Sequence, residues 1–318
     1  MATAFNYDSS AKTTIHAGSG AELVDEFGVL TAAGIDEARK RDAATPIQGQ
    51  KYFMTKNVDK NNYSHQAVNG IGMVQLNSDA DDLPIDKKSM GFDQTISNYV
   101  MRLSMSISRE MLETDRYGVI GGHSRSLVHS SRKTIERILA DPFNRGTGTT
   151  DLAILAEDGL GFFSAGRPQP KASAGTWSNL ETTGALTADM LATARVNFRK
   201  YLDGNGDLDP QMMKKVIVGP DLEDTMKEIV GTNLKVDTSL NNTNIVSDVS
   251  WEVWDWLEST TAVFCGDAEN ELQYHVRVSP GVLVTQDGRN PDMIWSRLRM
   301  ALGTGLLRPA NYRAATIS

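Results

Sequence analysis

The chain has 318 residues, 40% of them hydrophobic and 23% charged, and a net charge of −8 at pH 7. This composition excludes a disordered chain, and no window reaches the ~18 consecutive apolar residues of a membrane-spanning helix. The acidic balance, with a pI near 5.2, argues against the outer face of duplex DNA as a partner, because gripping phosphates needs a basic surface. The single cysteine, Cys265, excludes an intramolecular disulfide framework and a cysteine-built zinc site. Met1 to Asp8 has neither the basic nor the apolar region of a signal peptide, so the expectation is a soluble protein made in the cytoplasm. At roughly 100–200 residues per domain, the length allows two domains or one elaborate one.

Residues 1–46 read as an arm. Small and polar residues dominate Ser9 to Thr14 and His16 to Gly20, and a short amphipathic stretch carries Leu23, Phe27 and Leu30 at near-helical spacing. There are too few large apolar side chains for a core, so the segment is expected to lie on another surface or stay mobile. From 47 to 105 the pattern turns extended. Met101, Leu103, Met105 and Ile107 alternate with Arg102, Ser104, Ser106 and Ser108, the period-2 signature of a strand. Extended chain from about Phe92 to Ser108 would span roughly 50 Å at ~3.3 Å per residue, well beyond the ~5–6 residues of an ordinary strand. Gly70 to Leu76 is the expected upstream partner. The tip between them carries Asp81 and Asp82 beside Lys87 and Lys88. A lone hairpin is marginal in water, so this two-stranded arm is expected to rest on a neighbouring molecule.

Tyr117, Ile120, Leu127, Ser131, Ile135 and Ile138 recur at steps of three, four or seven and predict a helix over 116–140, about 36 Å long. Arg125, Arg132, Lys133, Glu136 and Arg137 supply its polar faces, and Asp141-Pro142 is expected to stop it. Residues 144–180 read as loop with short strands at 152–155 and 161–163. A second helix is expected over 188–202, with Thr187 as N-cap and Asp189 at the positive end of the dipole. From Asp203 short strands and helices alternate. Strands are expected at 215–218, 251–256, 261–264 and 272–278, and a short helix from Pro220 to about Val230. A closing strand from Ile294 to Leu302 puts Ile294, Leu298, Met300 and Leu302 on one face.

Few residues suggest chemistry. Asp203-Gly204-Asn205-Gly206-Asp207-Leu208-Asp209 resembles the start of a calcium loop, but Leu208 stands where Gly is required and Lys214 where a bidentate Glu is required. A solvated acidic turn is the expectation. Gly146-Thr147-Gly148-Thr149-Thr150 lacks the Lys-Ser/Thr of a phosphate loop, and neither Ser124 nor Ser164 fits a nucleophile elbow. The five histidines are scattered, and Cys265 reads as a buried, inert thiol. On a strand Trp254 and Trp256 share one face and Trp251 takes the other, a pattern of core packing plus one interface anchor. No nucleophile, base and oxyanion donors converge, so no enzyme, cofactor or metal site is expected.

The order of elements carries more than any motif. Ile107-Ser108-Arg109-Glu110-Met111-Leu112-Glu113-Thr114-Asp115-Arg116-Tyr117-Gly118, the long helix and Asp141-Pro142-Phe143-Asn144 form one stretch. Asp158-Gly159, Phe163-Ser164, Gly166-Arg167-Pro168, Ser178-Asn179-Leu180 and Leu186-Thr187-Ala188-Asp189 form a second, leading to Val216-Ile217-Val218-Gly219-Pro220. Trp295 to Gly305 forms a third. Together these resemble the tailed-bacteriophage major capsid protein of the Hong Kong 97-like fold, closest in pattern to the Mu-like major head subunit family. The chain has Gly166-Arg167-Pro168 where that family usually has His-Pro. The resemblance spans about 105–313; residues 1–104 match in layout only.

The resemblance implies an α+β fold with an N-terminal arm (1–46), an extended β-hairpin loop (47–105), a peripheral domain (106–202) with a spine helix at 116–140, an axial domain (203–288), and a C-terminal strand (289–318) returning to the peripheral domain. It implies a non-enzymatic shell protein without cofactors. Copies would form hexamers and pentamers that tile an icosahedral shell in the virion, assembled in the bacterial cytoplasm around packaged double-stranded DNA. The DNA would be contacted weakly and without sequence specificity, which suits the net charge of −8. Portal protein, a separate scaffolding protein and a decoration protein are the further partners implied; no membrane is. Residues expected at contacts between copies are Asp81, Asp82, Lys87, Lys88, Met101, Leu103, Met105, Ile107, Arg125 and Arg132. The alternatives are an encapsulin-type nanocompartment shell, and a hydrolase holding a metal in the Asp203–Asp209 loop.

Overall fold

The computed structural model describes residues 46–68, 90–108, 110–111, 119–148, 155–169, 175–183, 186–231, 244, 246–266, 271–286 and 293–317. The expected arm at 1–46 lies outside them except for its last residue. A 3-10 turn, Gly49–Tyr52, leads into β1 (Met54–Asn57), and β2 (Asn62–Val68), β3 (Met90–Ser97) and β4 (Tyr99–Ser108) follow. Next come helix α1 (Val119–Asn144), the short strands β5 (Arg167–Pro168), β6 (Thr176–Trp177) and β7 (Leu180–Thr183), and helix α2 (Ala188–Arg199). The remainder is β8 (Lys215–Val218), α3 (Glu223–Val230), β9 (Ser250–Val253), β10 (Ala262–Gly266), β11 (Leu272–Gln286), β12 (Met293–Leu306) and β13 (Tyr312–Ile317).

Two larger sheets result. The first has the order β1-β11-β12-β4 and the second β7-β13-β10-β8-β9. The inner strands β8 and β10 of the second sheet are buried on both faces, so Val216-Ile217-Val218 and Ala262-Val263-Phe264-Cys265 read as apolar runs. Ile217, Phe264 and Ala314 face a cluster containing α1. Val216, Val218, Val263 and Cys265 face a cluster containing Leu191, Ala194 and Phe198 of α2. Thr187 caps α2 as its position predicts, its hydroxyl accepting from Met190 N at 3.2 Å. Trp254 and Trp256 pack on the first cluster and Trp251 on the second, the expected division, although only Trp251 lies on a strand.

Several expectations need correction. The alternating strand takes β12 as its observed partner, antiparallel, with Met101 opposite Met300, Leu103 opposite Leu298 and Ile107 opposite Ile294. The expected partner at 70–76 lies outside the described residues. β3 and β4 are separate strands, divided at Asn98. Helix α1 runs through Asp141-Pro142 to Asn144. The reason is Phe143, whose ring centroid lies 5.2 to 6.4 Å from those of Phe53, Phe162, Phe163, Trp254, Phe264 and Tyr312. Burying that ring outweighs the cost of a proline in the last turn. Asn144 fixes the helix end by donating to Trp256 O at 3.0 Å and accepting from Glu258 N at 2.9 Å.

Glu136, assigned to a polar face, is buried; its carboxylate accepts from Gln48 N at 2.6 Å and Gly49 N at 3.1 Å, seating the 3-10 turn on α1. Ile135 is buried as predicted and Lys133 and Arg137 are exposed. Helix α2 stops at Arg199, strand β9 at Val253, and β11 continues to Gln286. Strand β13 was not predicted. It lies parallel to β7 and antiparallel to β10, and its Ala314-Ala315 centre carries little β-propensity to announce it.

Candidate self-association surface

Strands β2 and β3 form an antiparallel hairpin of their own, paired from Asn62–Ser97 to Val68–Met90. Its root is locked to β12. Ile96 is 2% exposed and packs where Gly305 has no side chain; a Cβ at Gly305 would collide with it. At Gly303 a Cβ would come within 2.5 Å of Asn98 Oδ1 and 2.7 Å of Ser97 O. The two glycines therefore let the hairpin root cross β12 at contact distance. Asn98 turns the chain there, donating from Nδ2 to Lys60 O at 2.9 Å and from its backbone N to Asn61 O at 2.7 Å. Beyond the root, Asn62, Tyr63, Ser64 and Gln66 are exposed. The tip residues Asp81, Asp82, Lys87 and Lys88 lie outside the described residues.

Strand β4 brings Met101, Leu103, Met105 and Ile107 together. Ile107 is buried, Met101 and Met105 are half-buried, and Leu103 is 45% exposed, as are its strand neighbours Tyr99 and Val100 at 47% and 41%. The face is thus partly covered by the chain itself. Among the described residues β4 has a strand partner on one side only, which leaves an edge beside an exposed apolar group. Arg125 and Arg132 are half-buried, two turns apart on α1.

The motif series of the second stretch forms a buried polar hub. Arg167 is fully buried and pairs with Asp158 at 2.7 Å; it also donates to Asn179 Oδ1 at 2.9 Å, to Phe162 O at 2.7 Å and to Gly161 O. Asn179 Nδ2 in turn reaches Phe162 O at 2.9 Å, Pro309 O at 3.2 Å and Tyr312 O at 3.3 Å. The hub ties the glycine-rich loop to the C-terminal strands and satisfies carbonyls that would otherwise be buried unpaired. Sequence reasoning missed this role of Arg167, since a lone arginine reads as surface; the signal was its place within the Asp-Gly, Phe-Ser and Asn-Leu series.

Next to the hub, a cavity of about 110 Å³ is lined by Glu157, Tyr201, Asp203, Asp209 and Arg308, among others. Burial, with Asp158 and Glu271 nearby, raises the Glu157 carboxyl to about 7 against the opposing pull of Arg308 and Arg167. Burial and Asp209 raise Tyr201 to about 12. The Asp203 carboxylate is spent on its own turn, accepting from Asn205 N at 2.8 Å and Asp207 N at 2.9 Å, with Gly206 at φ 93°. The arrangement is that of an acidic turn. Cys265 is buried and its thiol is raised to about 12 by that burial, so it is protonated at neutral pH and no nucleophile.

A family model described as phage capsid protein matches residues 103–318. The chain belongs to that family. Solved structures agree at the level of fold. A capsid structure of cyanophage P-SCSP1u matches with a TM-score of 0.58 at 11% identity, covering 85% of this chain and 87% of that one. The capsid of a native GTA particle matches at 0.56 and 10% identity, over 85% and 89%, and Microbacterium phage Oxtober96 at 0.53 and 12%, over 85% and 90%. Comparison with curated proteins finds no match. This capsid protein is accordingly a structural, non-enzymatic component of the virion shell. Its fold is α+β, as expected.

Proposed function

We propose that this chain is the major head subunit of a tailed phage, Hong Kong 97-like in its domain layout and closest in pattern to the Mu-like head subunits. Copies form hexamers and pentamers around packaged double-stranded DNA. In this reading 47–105 is the extended loop, 106–202 the peripheral domain, 203–288 the axial domain and 289–318 the returning strand. The observation that carries it is the exposed apolar group Leu103, Tyr99 and Val100 on β4, which has a strand partner on one side only among the described residues, beside the β2–β3 hairpin, whose root is locked to the body at Ile96 and Gly305 and whose Asn62, Tyr63, Ser64 and Gln66 are exposed. A strand edge and an apolar group left open in this way are stabilised when a neighbouring copy covers them. Asp81, Asp82, Lys87 and Lys88 at the tip, Met101, Leu103, Met105 and Ile107 on β4, and Arg125 and Arg132 on α1 supply the contacts between copies. Portal protein, a separate scaffolding protein and a decoration protein are the further partners, and the DNA is held without sequence readout, consistent with a net charge of −8. Negative-stain electron microscopy of the expressed protein tests the reading. Six- and five-fold rings or closed shells are expected; a protein that stays monomeric at high concentration would refute it.

A further inference from the structure

Two surfaces of opposite charge lie at opposite ends of strand β8. At its start, where α2 meets β8 and β9, a groove of about 440 Å³ is lined by Arg195, Arg199, Met212, Lys214 and Val249, among others. Arg195 pairs with Asp248 at 2.6 Å, whereas Arg199 and Lys214, both exposed, make no ion pair among the described residues. Met212 is 55% exposed. On a protein of net charge −8, this recess is basic and part apolar.

At the other end, β8 runs through Gly219 into the 3-10 turn Pro220–Leu222 and helix α3. Pro220, Asp221 and Asp224 are exposed there. Glu223 and Asp224 share one cation, Lys227, at 2.6 and 3.8 Å, and Asp221 makes no ion pair among the described residues. Residues 220–227 thus carry three carboxylates and one ammonium, beside an exposed proline. Strand β8 holds the two surfaces apart by about 13 Å at ~3.3 Å per residue, and no described residue of the turn or of α3 lines the groove. One chain cannot bring them together, but two copies can. Complementary patches at opposite ends of a molecule pair head to tail, and such a contact closes into a ring when its rotation allows. We propose that the groove of one copy receives residues 220–224 of the next, with Pro220 on Met212 and the carboxylates of Asp221 and Asp224 toward Arg199 and Lys214. The opposed charges fix the register. The flexible stem of Lys214 and the long side chain of Arg199 accommodate the small difference in rotation between five- and six-membered rings.

The inference rests on the shell reading and adds to it a contact that joins copies within a ring. The test follows ring formation by the full chain, using size-exclusion chromatography and negative-stain electron microscopy. One variant carries Arg199→Glu and Lys214→Glu, a second Asp221→Lys and Asp224→Lys. Each alone is expected to need at least about tenfold more protein than the parent to form rings, the scale of two exposed ion pairs turned repulsive. Combining all four substitutions in one chain restores the charge match and is expected to restore rings, which separates a lost contact from lost folding. Mixing the two variants in equal amounts gives copies that accept only each other. Six-membered rings are then expected to return, whereas five-membered rings, which cannot alternate, are not. Rings formed by either variant as readily as by the parent, no recovery in the combined chain or in the mixture, or five-membered rings from the mixture would each overturn the contact and leave the shell reading standing. A parent that stays monomeric would overturn both.

Discussion

Glu157 holds its carboxyl at about 7 because burial and the neighbouring Asp158 and Glu271 disfavour its charge more than Arg308 and Arg167 favour it. In the unfolded chain it titrates near the ordinary value of about 4.3. Between those values the folded protein binds more protons than the unfolded one, so this group's contribution to stability is full below about pH 4.3 and is lost as the pH rises through 7. Glu157→Gln removes that dependence. The variant is expected to melt higher than the parent at pH 8 and equally at pH 4, in thermal scans followed by circular dichroism; a lower melting temperature at pH 8 would contradict the assigned environment. At the hairpin root, Gly303→Ala would press a methyl against Asn98 Oδ1 and the Ser97 carbonyl. Because one neighbour is backbone, it cannot swing aside. A loss of about 1–3 kcal/mol is expected from urea unfolding, and a neutral result would mean that the crossing is looser than described.

At the scale of elements, helix α1 is the member whose phase matters most. Ile135 lies 3% exposed between Val128 and Leu139 on the face turned toward the aromatic cluster. Ile135→Asp would bury an unpaired charge there and is expected to cost at least about 3 kcal/mol, leaving the protein insoluble or unfolded; a soluble variant with parental circular dichroism and unfolding midpoint would contradict the packing. Periodicity made this face legible, together with the alternation of β4 and β12, because both are local consequences of one-sided burial. What the sequence hid was non-local. The partner of β4 lies in the C-terminal part of the chain, and no local pattern names it. The run of α1 past Pro142 depends on six rings that meet Phe143 only in the folded state. Glu136 reads as a surface charge and Arg167 only as a member of a motif series, and the burial of both depends on carbonyls and amides supplied by other elements. Of the expected contact residues, the β4 group was legible as one face, while its partial cover by the rest of the chain was not.

For the whole molecule, the surfaces left to be covered are the edge of β4 and the exposed residues of the β2–β3 hairpin. The hairpin root is fixed by Ile96 and Asn98 against β12, so the body should fold whether or not the distal residues are present. In the proposed reading the distal residues 69–89 serve contacts between copies, and their charges Asp81, Asp82, Lys87 and Lys88 tune those contacts. Each exposed ion pair contributes only ~0–1 kcal/mol, but a shell repeats it in every copy. Lys87→Glu with Lys88→Glu is expected to weaken assembly in light-scattering assays, with the defect fading as salt screens the repulsion; a defect independent of salt would assign those lysines another role. The most direct test of the central claim replaces residues 69–89 with a short Gly-Ser turn and images parent and variant side by side by electron microscopy after size-exclusion chromatography. The account predicts closed shells or rings from the parent and a soluble, folded variant that does not close into shells. Normal shells from the variant would contradict it.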